Sequence, residues 1–374
     1  MALKIGVVGM RGIGNTHCQA WVQEPLASLV GVCDVVKERA DEAARRYGAR
    51  AYYSLRDMLQ NEELDIVDVT TGGLENASWH FEPAMEAMEA GKHVLVEKPI
   101  SGDIHEARQM VAKAAQKGVY LGCNLNHYFT PPAEEGKKYI EEGKVGELVY
   151  CLHKMGFNGG EEAYAPARSP KIKDLPYFHL KAFMSHPFSV MRYFCGDITH
   201  VQAFVDRPGF RRQVGDVMLS VCSIHVRFAN GCVGYLLSQR GDATYGLGGW
   251  WSIEVAGTRG TFCIENCIEK ITFWPARGSK GSVPAGSGPG VSTEPVVTSS
   301  GITDFGQTFP RRLHAFVEDI TNRVPLEQLR GSGRDALAAA EYTDAVIQSY
   351  EQGGIMVRPH PLPLLKGDPN TMLD

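Results

Sequence analysis

The N-terminal part of the chain alternates short apolar runs with longer segments of helical character, and this alternation limits the fold more than any other feature. Strands that are separated by helices form parallel sheets with helices on both faces, the doubly wound α/β arrangement. We predict strands at 3–8, 28–33, 66–70, 93–97 and 119–123. The helices between them are predicted at 16–24, 36–47, 79–90 and 104–117. Ligands of such sheets bind beyond the carboxyl ends of the strands.

The pattern changes after Tyr128, where apolar and polar residues alternate over longer stretches. This alternation, with turns such as the Asn-Gly pair at 230–231, predicts antiparallel strands. The predicted strands are 217–227, 233–239, 251–256 and 260–264, and the predicted helices are 183–194, 309–321 and 333–350. We therefore expect two domains, a doubly wound domain at 1–125 and an α+β domain at 126–374 with a large open, mostly antiparallel sheet. A stretch rich in Gly, Ser and Pro, about 276–300, predicts a flexible loop.

Composition excludes several functional classes. The 374 residues are 44% hydrophobic and 22% charged, with a formal net charge of −5 and both signs interspersed. Such a chain has no basic stripe for nucleic acid, and no apolar run is long enough to span a membrane. Its N-terminus enters a strand without a signal-peptide pattern, so we expect a cytoplasmic protein. The nine cysteines form no CxxC pair, and we expect no metal site.

A glycine-rich turn joins the first predicted strand to the first helix. Gly9, Gly12 and Gly14 lie there, and glycines let backbone N–H groups approach a pyrophosphate at a helix N-terminus. The dinucleotide fingerprint GxGxxG asks for glycine at position 11, which is Arg11 in this chain. Gly12 restores room in the turn, and the Arg11 side chain is able to face a phosphate.

An acidic residue ends the second predicted strand. Asp34 follows Gly14 at the distance where a carboxylate accepts hydrogen bonds from the ribose hydroxyls of NAD and repels a 2′-phosphate. The order of strand, glycine turn, helix and acidic residue predicts nucleotide binding, with NAD as the cofactor. NADP stays an alternative, because Arg11 and Lys37 can neutralise a phosphate.

The segment GKHVLVEKPI, residues 91–100, ends a buried strand with two opposite charges and a proline. At the carboxyl end of a parallel strand, Lys98 is able to reach the ligand crevice, and Pro99 biases Lys98 toward an extended backbone. A surface pair of Glu97 and Lys98 that ends a strand is the alternative interpretation.

Taken together, these motifs resemble the Gfo/Idh/MocA oxidoreductases, the glucose–fructose oxidoreductase and inositol dehydrogenase family. The matching residues are GMRGIG at 9–14, Asp34, His80, AGKHVLVEKP at 90–99, Asn126, His186 and GTRGT at 257–261. The resemblance covers nearly the whole chain. It implies a Rossmann domain, an open-sheet second domain through which oligomers form, a commonly cis proline in EKP, and hydride transfer between NAD(P) and a sugar or cyclic polyol.

The resemblance also implies site residues. Lys98 would contact the reacting hydroxyl and His186 would be the base, since hydride transfer from an alcohol needs both a proton acceptor and a cation near the alkoxide. The family's catalytic Asp is Ala182 in this chain, and a second Asp of the family is Ser189. His179 and Lys181 are candidates to replace the missing carboxylate.

Positions in the chain indicate further candidates. The residues expected to contact the cofactor are Gly9, Arg11, Gly12, Ile13, Gly14, Asp34, Thr70, Thr71, His80, Glu97, Lys98 and Asn126. The residues expected to contact the substrate are Lys98, His127, Tyr128, Tyr164, His179, Lys181 and His186. Each of the loop residues among them has an equally ordinary role in packing or loop hydrogen bonding.

Three functions remain open on the sequence. The leading hypothesis is an NAD(P)-dependent dehydrogenase or reductase that acts on a CH–OH group of a sugar, inositol or related cyclic polyol. The second is a redox-assisted glycosidase or lyase that retains its NAD. The third is a non-catalytic NAD-binding sugar sensor, which the loss of the carboxylate at Ala182 favours and the presence of Lys98 and His186 opposes.

Overall fold

The computed structural model describes residues 2–74, 77–157, 175–207, 209, 218–240, 249–275 and 295–363. Its N-terminal part is a six-stranded parallel sheet in the order β3-β2-β1-β4-β7-β8. These strands are Leu3–Val8 (β1), Ala27–Cys33 (β2), Arg50–Tyr52 (β3), Ile66–Val69 (β4), His93–Val96 (β7) and Leu121–Cys123 (β8). Two-residue strands, Gly73–Leu74 (β5) and Ala77–Ser78 (β6), form a separate hairpin. The doubly wound prediction is confirmed.

Helices connect the strands of this sheet. They are Gly12–Trp21 (α1), Lys37–Tyr47 (α2), Leu55–Asn61 (α3), Phe81–Glu89 (α4) and Ile104–Lys117 (α5). Local signals set the bounds of α5, because the Asp103 side chain accepts the N–H groups of His105 and Glu106, and Gly118 takes the left-handed conformation after its last turn. The helix predicted to start at residue 16 begins at Gly12 instead, because the glycine turn forms the first helical turn.

The second part of the chain folds around an eight-stranded sheet in the order β10-β11-β12-β9-β13-β14-β15-β16. Its strands are Leu148–Phe157 (β9), Ile198–Asp206 (β10), Val221–Phe228 (β11), Val233–Arg240 (β12), Trp251–Gly257 (β13), Gly260–Glu265 (β14), Lys270–Pro275 (β15) and Val296–Ser299 (β16). The pairing is antiparallel except between β12 and β9. The mostly antiparallel sheet is as predicted, although β9, β10 and β15 were missed.

The helices of the second part are Pro131–Glu141 (α6), Phe178–Phe183 (α7), Ser185–Cys195 (α8), Thr308–Thr321 (α9) and Gly333–Glu351 (α10). One helix was predicted over 183–194, but the structure has two that meet at Met184. Pro187 explains the break, because it has no N–H to donate to the carbonyl group of Phe183 and therefore suits the first turn of a new helix. The short 3₁₀ segments are Asn126–Tyr128, Phe305–Gln307 and Leu326–Gln328.

The predicted flexible loop at 276–300 is partly a strand. Residues 296–299 form β16, which pairs with β15, since the β-branched residues of its Val-Val-Thr-Ser sequence suit a strand. Residues 276–294 lie outside the described part of the chain.

The C-terminal helices pack back onto the parallel sheet. Helix α9 contacts α1, and α10 contacts both α5 and β8. The guanidinium of Arg312, on α9, is fully buried at this junction and donates to the carbonyl oxygens of Cys123 and Gly331, each at 3.0 Å. This packing brings the carboxyl ends of the parallel strands against the second domain. No helix in the described ranges is long and apolar enough to cross a membrane.

Candidate active site

Two cavities lie at the carboxyl ends of the parallel strands. One, of about 320 Å³, borders the glycine turn and the end of β2. The other, of about 500 Å³, lies between the domains. The polar lining of the first includes Arg11, Asp34, Arg39, Ser54, Thr71, Glu82 and Glu86. The larger cavity is lined by Ile13, Glu97, Lys98, Asn124, Asn126, His127, Met155, Gly156, Phe183, His186, Trp250, Phe305 and Phe309.

The glycine turn is tight on one side and open on the other. A methyl group at Gly14 would lie 1.9 Å from the carbonyl oxygen of Gly9, and Gly9 itself has a φ of 102°. A methyl group at Gly12 would meet nothing within 4 Å. Helix α1 has no side-chain cap at Arg11, so the N-cap side chain accepts none of its first N–H groups. The turn therefore has the shape and polarity of a pyrophosphate cradle.

Asp34 links the glycine turn to the end of β2. One carboxylate oxygen accepts the N–H of Met10 at 2.8 Å, and the other accepts the N–H of Val36 at 2.8 Å. A carboxylate has about four lone-pair sites, so capacity for ligand hydroxyl groups remains. Lys37 is over the ring of Tyr53, at 5.1 Å from its centroid, and is not part of the cavity lining.

Trp79 is a cavity residue that the sequence reasoning missed. Its side chain is 67% exposed and lines the same cavity as Asp34. An exposed tryptophan beside polar groups suits an aromatic ligand ring. Trp79 lies just before α4, in the segment that follows the carboxyl end of β4. This position in the sequence could have identified it, because that segment borders the same crevice.

Two of the predicted cofactor residues bond to the backbone instead. The hydroxyl group of Thr70 donates to the carbonyl oxygen of Gly9 at 2.9 Å, which holds the turn against β4. His80 is buried, with Nδ1 2.8 Å from the carbonyl oxygen of Pro99, and lines neither cavity. Thr71 does line the smaller cavity, and its hydroxyl group donates to the carbonyl oxygen of Trp79.

Lys98 is half-buried at the edge of the larger cavity. Its backbone N–H donates to Glu97 Oε2 at 3.0 Å, and its peptide bond to Pro99 is cis. Within the described ranges, no carboxylate lies within 4 Å of its Nζ atom to form an ion pair. Asn126 lines the same cavity and donates to the hydroxyl group of Thr308 at 2.7 Å.

Two buried histidines stack on each other opposite Lys98. The ring centroids of His127 and His186 are 3.8 Å apart, with an angle of 15° between the planes. Burial lowers the pKa of both rings well below the usual value, and the charge of Lys98 lowers the pKa of each further. Trp251 Nε1 donates to His127 Nδ1 at 3.2 Å. Because the indole nitrogen only donates, His127 is neutral and carries its proton on Nε2.

No carboxylate takes the place of the family's Asp in the described contacts of His186. Ala182 is fully buried, and the hydroxyl group of Ser189 donates to the carbonyl oxygen of His186 rather than to its ring. Nδ1 of His186 is buried without a hydrogen-bond partner among the described residues. The structure stacks His127 on this ring and places Phe183 edge-on to it, with 6.0 Å between the centroids of Phe183 and His186.

Other predicted substrate residues lie elsewhere. His179 is 3.2 Å from the hydroxyl group of Ser238, and Lys181 donates to Gly102 and lines a separate cavity of about 200 Å³. Tyr128 stacks on Tyr193 with 4.7 Å between the ring centroids, in a further cavity of about 420 Å³. The structure does not bring these three candidates to Lys98. Tyr164 lies outside the described residues.

Comparison with known proteins gives consistent matches. Residues 3–125 match the family described as "Oxidoreductase family, NAD-binding Rossmann fold", and residues 134–263 match the GFO/IDH/MocA C-terminal domain. Levoglucosan dehydrogenase of Pseudarthrobacter phenanthrenivorans is 27% identical over 293 residues, which cover 70% of this chain and 73% of that protein. The NAD(+)-dependent scyllo-inositol 2-dehydrogenase of Bacillus subtilis is 27% identical over 284 residues, 74% of this chain and 78% of that protein.

Solved structures share the fold. A levoglucosan dehydrogenase in complex with NADH superposes with a TM-score of 0.79 at 21% identity, covering 97% of this chain and all of that one. An NAD binding oxidoreductase from Klebsiella pneumoniae gives a TM-score of 0.81 at 20% identity, with 96% of this chain and 99% of that one covered.

Proposed function

This chain belongs to the Gfo/Idh/MocA family of oxidoreductases, and we propose that it is an NAD-dependent dehydrogenase of a sugar or cyclic polyol. It transfers a hydride between the nicotinamide cofactor and a CH–OH carbon. One observation carries the proposal. The cavity between the domains holds a cationic Lys98 beside the neutral pair of His127 and His186, close to the glycine turn.

The residues around the smaller cavity suit a dinucleotide. Gly12 and the uncapped start of α1 would face the pyrophosphate, Asp34 the ribose, and Trp79 the adenine ring. We propose NAD as the preferred cofactor, because the Asp34 carboxylate would repel a 2′-phosphate. Arg11 and Arg39 line the same cavity, so a comparison of NAD with NADP tests this preference. When bound, the nicotinamide accepts or donates the hydride.

The chain's own groups divide the remaining chemistry. Lys98 stabilises the negative charge that develops on the reacting oxygen, as a preorganised cation does. His186 accepts the hydroxyl proton, and its lowered pKa keeps the ring neutral and ready to do so at neutral pH. His127 presents its Nε2 proton as a donor, because Trp251 occupies Nδ1.

Aromatic side chains suit the apolar face of a sugar ring. Phe183, Trp250, Phe305 and Phe309 line the cavity with the three reactive groups. The ring of Trp250 lies edge-on to Phe305, with 6.3 Å between their centroids. Such a wall favours a neutral ring substrate whose hydroxyl groups point toward Lys98 and the histidines.

The comparisons favour a dehydrogenase over the alternatives. Three of the relatives that match over most of their length are named as dehydrogenases of levoglucosan or an inositol. The glycosidase or lyase hypothesis and the sensor hypothesis both depended on the missing carboxylate at Ala182. A neutral histidine pair offers another acceptor for the proton, so neither alternative is needed.

We also propose that the chain forms a homo-oligomer through the outer face of its large sheet. Leu152 and Val233 are 46% and 54% exposed there, and the register pairs Leu152 with Tyr235. An apolar sheet face of this kind favours association with a second copy. The molar mass in solution tests this proposal.

Substitution of Lys98 tests the proposed function. Lys98→Met is expected to lower kcat on any active polyol by about 100-fold or more, the usual loss for one group that stabilises a reacting oxygen. NADH fluorescence titration should give a dissociation constant within about threefold of the wild type, since a dinucleotide has many other contacts. Lys92→Met, at the opposite end of the same strand, is the matched control. An unchanged turnover in Lys98→Met contradicts the assignment, and a wild type inactive on a broad panel of polyols contradicts the function.

A further inference from the structure

A buried ion network that the proposed mechanism does not use lies behind Glu97. His17, on α1, is fully buried, and its Nδ1 is 2.8 Å from Asp68 Oδ2. Its Nε2 is 3.0 Å from Glu97 Oε1. Trp21 donates its indole N–H to Asp68 Oδ2 at 2.6 Å. The imidazole ring thus joins two carboxylates from two parallel strand ends.

The hydrogen-bond partners determine the charge of this ring. The side-chain nitrogen of Asn124 lies 3.3 Å from Nε2 of His17, but it donates to Glu97 Oε1. Ionised carboxylates only accept hydrogen bonds, so with Asp68 and Glu97 ionised both nitrogens of His17 donate, which makes the ring an imidazolium. Burial lowers the pKa of His17, but the charges and hydrogen bonds of Asp68 and Glu97 outweigh burial and raise the pKa to about 10. Burial also raises the pKa of the Glu97 carboxyl group, yet His17, Lys98 and Asn124 together hold it below its usual value.

The network reaches Lys98 through Glu97. The carboxylate of Glu97 accepts the side-chain N–H of Asn124 on one oxygen and the backbone N–H of Lys98 on the other. Asn124 follows β8, Asp68 lies within β4 and His17 lies within α1. The position of Lys98 therefore depends on the contacts of Glu97 with His17 and Asn124, and on Asp68 through His17.

Among the described residues, the remaining neighbours of His17 carry no charge. The ring of Phe309 lies edge-on at 5.8 Å between centroids. Burial raises the pKa of the thiols of Cys18 and Cys123, so both stay neutral. The two anions, Asp68 and Glu97, are thus matched by two cations, His17 and Lys98.

We propose that His17 is a positioning residue: as a cation it keeps Glu97 ionised and oriented, and Glu97 in turn fixes Lys98 at the cavity. This role rests on the proposed function, in which Lys98 stabilises the reacting oxygen. The network differs from the histidine pair of the cavity, because His17 holds a permanent charge and takes no proton from the substrate.

The charge of His17 can be measured in the wild-type protein without any substrate. Two-dimensional NMR of protein with ¹⁵N-labelled histidine measures the protonation of each ring nitrogen. The His17 signal is assigned from its loss in His17→Gln. This signal should show two protonated ring nitrogens from pH 6 to 9. A ring that titrates near the ordinary histidine pKa of about 6.5 overturns the proposal.

Two variants test how the charge of His17 affects Lys98. In His17→Gln, Glu97 loses its cationic partner, so the acid limb of the kcat profile should move up by about 1 to 3 pH units. The value of kcat at its optimum should fall about 100-fold, as for a catalytic group misplaced by about 1 Å. In the nearly isosteric Asp68→Asn, His17 loses one carboxylate, so its pKa falls and the alkaline limb should move to lower pH.

A control and a structural readout separate positioning from simple loss of stability. His93→Gln removes a histidine from the far end of the same strand as Glu97, and it should leave both limbs of the pH profile unchanged. Crystal structures of His17→Gln and Asp68→Asn should show Glu97 and the Lys98 side chain displaced in the first and retained in the second. Undisplaced groups in His17→Gln, or pH limbs that match the wild type, overturn the positioning role. A wild type without turnover on polyols counts against the proposed function, while the NMR and crystallographic results still decide the network.

Discussion

A methyl group added at position 14 separates the folding role of the glycine turn from its binding role. In Gly14→Ala the new Cβ would lie 1.9 Å from the carbonyl oxygen of Gly9 and 2.8 Å from the hydroxyl group of Thr70. Real Cβ atoms essentially never come within 3.0 Å of such atoms. Helix α1 must therefore move away from β1 by about 1 Å, since the backbone carbonyl of Gly9 is itself held by Thr70.

The expected change in the unfolding free energy of Gly14→Ala follows from two opposing effects. Overpacking of this kind costs about 1–3 kcal/mol, and a contact with backbone lies at the upper end. Alanine gains about 1 kcal/mol over glycine in a helix, which offsets part of the cost. We expect Gly14→Ala to lose about 2 kcal/mol of unfolding free energy and to weaken NADH binding about 100-fold, because the displaced helix start carries the N–H groups of the cradle.

Gly12→Ala is the matched comparison in the same turn. Its methyl group meets nothing within 4 Å, so the unfolding free energy should rise by up to about 1 kcal/mol. The methyl group would stand in the open space of the cradle, and NADH should bind at least about 10-fold more weakly. Urea unfolding and NADH fluorescence titration measure both quantities. Unchanged stability and affinity in Gly14→Ala would refute the reasoning, and normal affinity in Gly12→Ala would remove Gly12 from the cofactor site.

Two further predictions concern pH and the adenine side of the cavity. Burial lowers the pKa of His153 to about 4 and of His179 to about 3, and it holds the pKa of His127 and His186 well below 6.5. The contribution of these neutral rings to the unfolding free energy is complete above the unfolded-state pKa of about 6.5. It is lost as the pH falls below that value, by about 1.4 kcal/mol per pH unit for each ring. Urea unfolding between pH 5 and 7 measures this loss. Stability that does not fall there would show that these rings are protonated. Trp79→Ala should weaken NADH binding about tenfold, from a stacking contribution of about 1–3 kcal/mol, and an unchanged affinity in fluorescence titration would rule out contact with the adenine.

Elements with local signals were predictable from the sequence. Strand β1 and helix α5 have the predicted bounds, because apolar runs, an Asp N-cap and a Gly C-cap act within a few residues. Strand β3 and helix α3 were missed, since Arg50–Tyr52 and Leu55–Asn61 are too short to show a clear period. The break at Met184 required knowledge of how Pro187 sits relative to its neighbours.

The residues of the candidate site also divide into those that the sequence predicts and those that it does not. The glycine turn, Asp34 and Lys98 were predictable, because each occupies a fixed place relative to a strand end. The stack of His127 on His186, and the donation from Trp251 that fixes the His127 tautomer, arise between segments far apart in the chain. No spacing rule reports such a contact.

The buried histidines explain how one residue type supplies two different functions near Lys98. Burial disfavours the charged form of each ring, so the default state of a buried histidine is neutral, as it is for His127 and His186. His17 is equally buried, yet its two partners are carboxylates rather than a tryptophan or a neighbouring ring. The fold therefore keeps a fixed positive charge behind Glu97 and two neutral rings in the cavity, of which His186 is the proposed proton acceptor. Hydride transfer needs this separation, because a group that accepts the hydroxyl proton cannot also be the permanent cation that holds Lys98 in place.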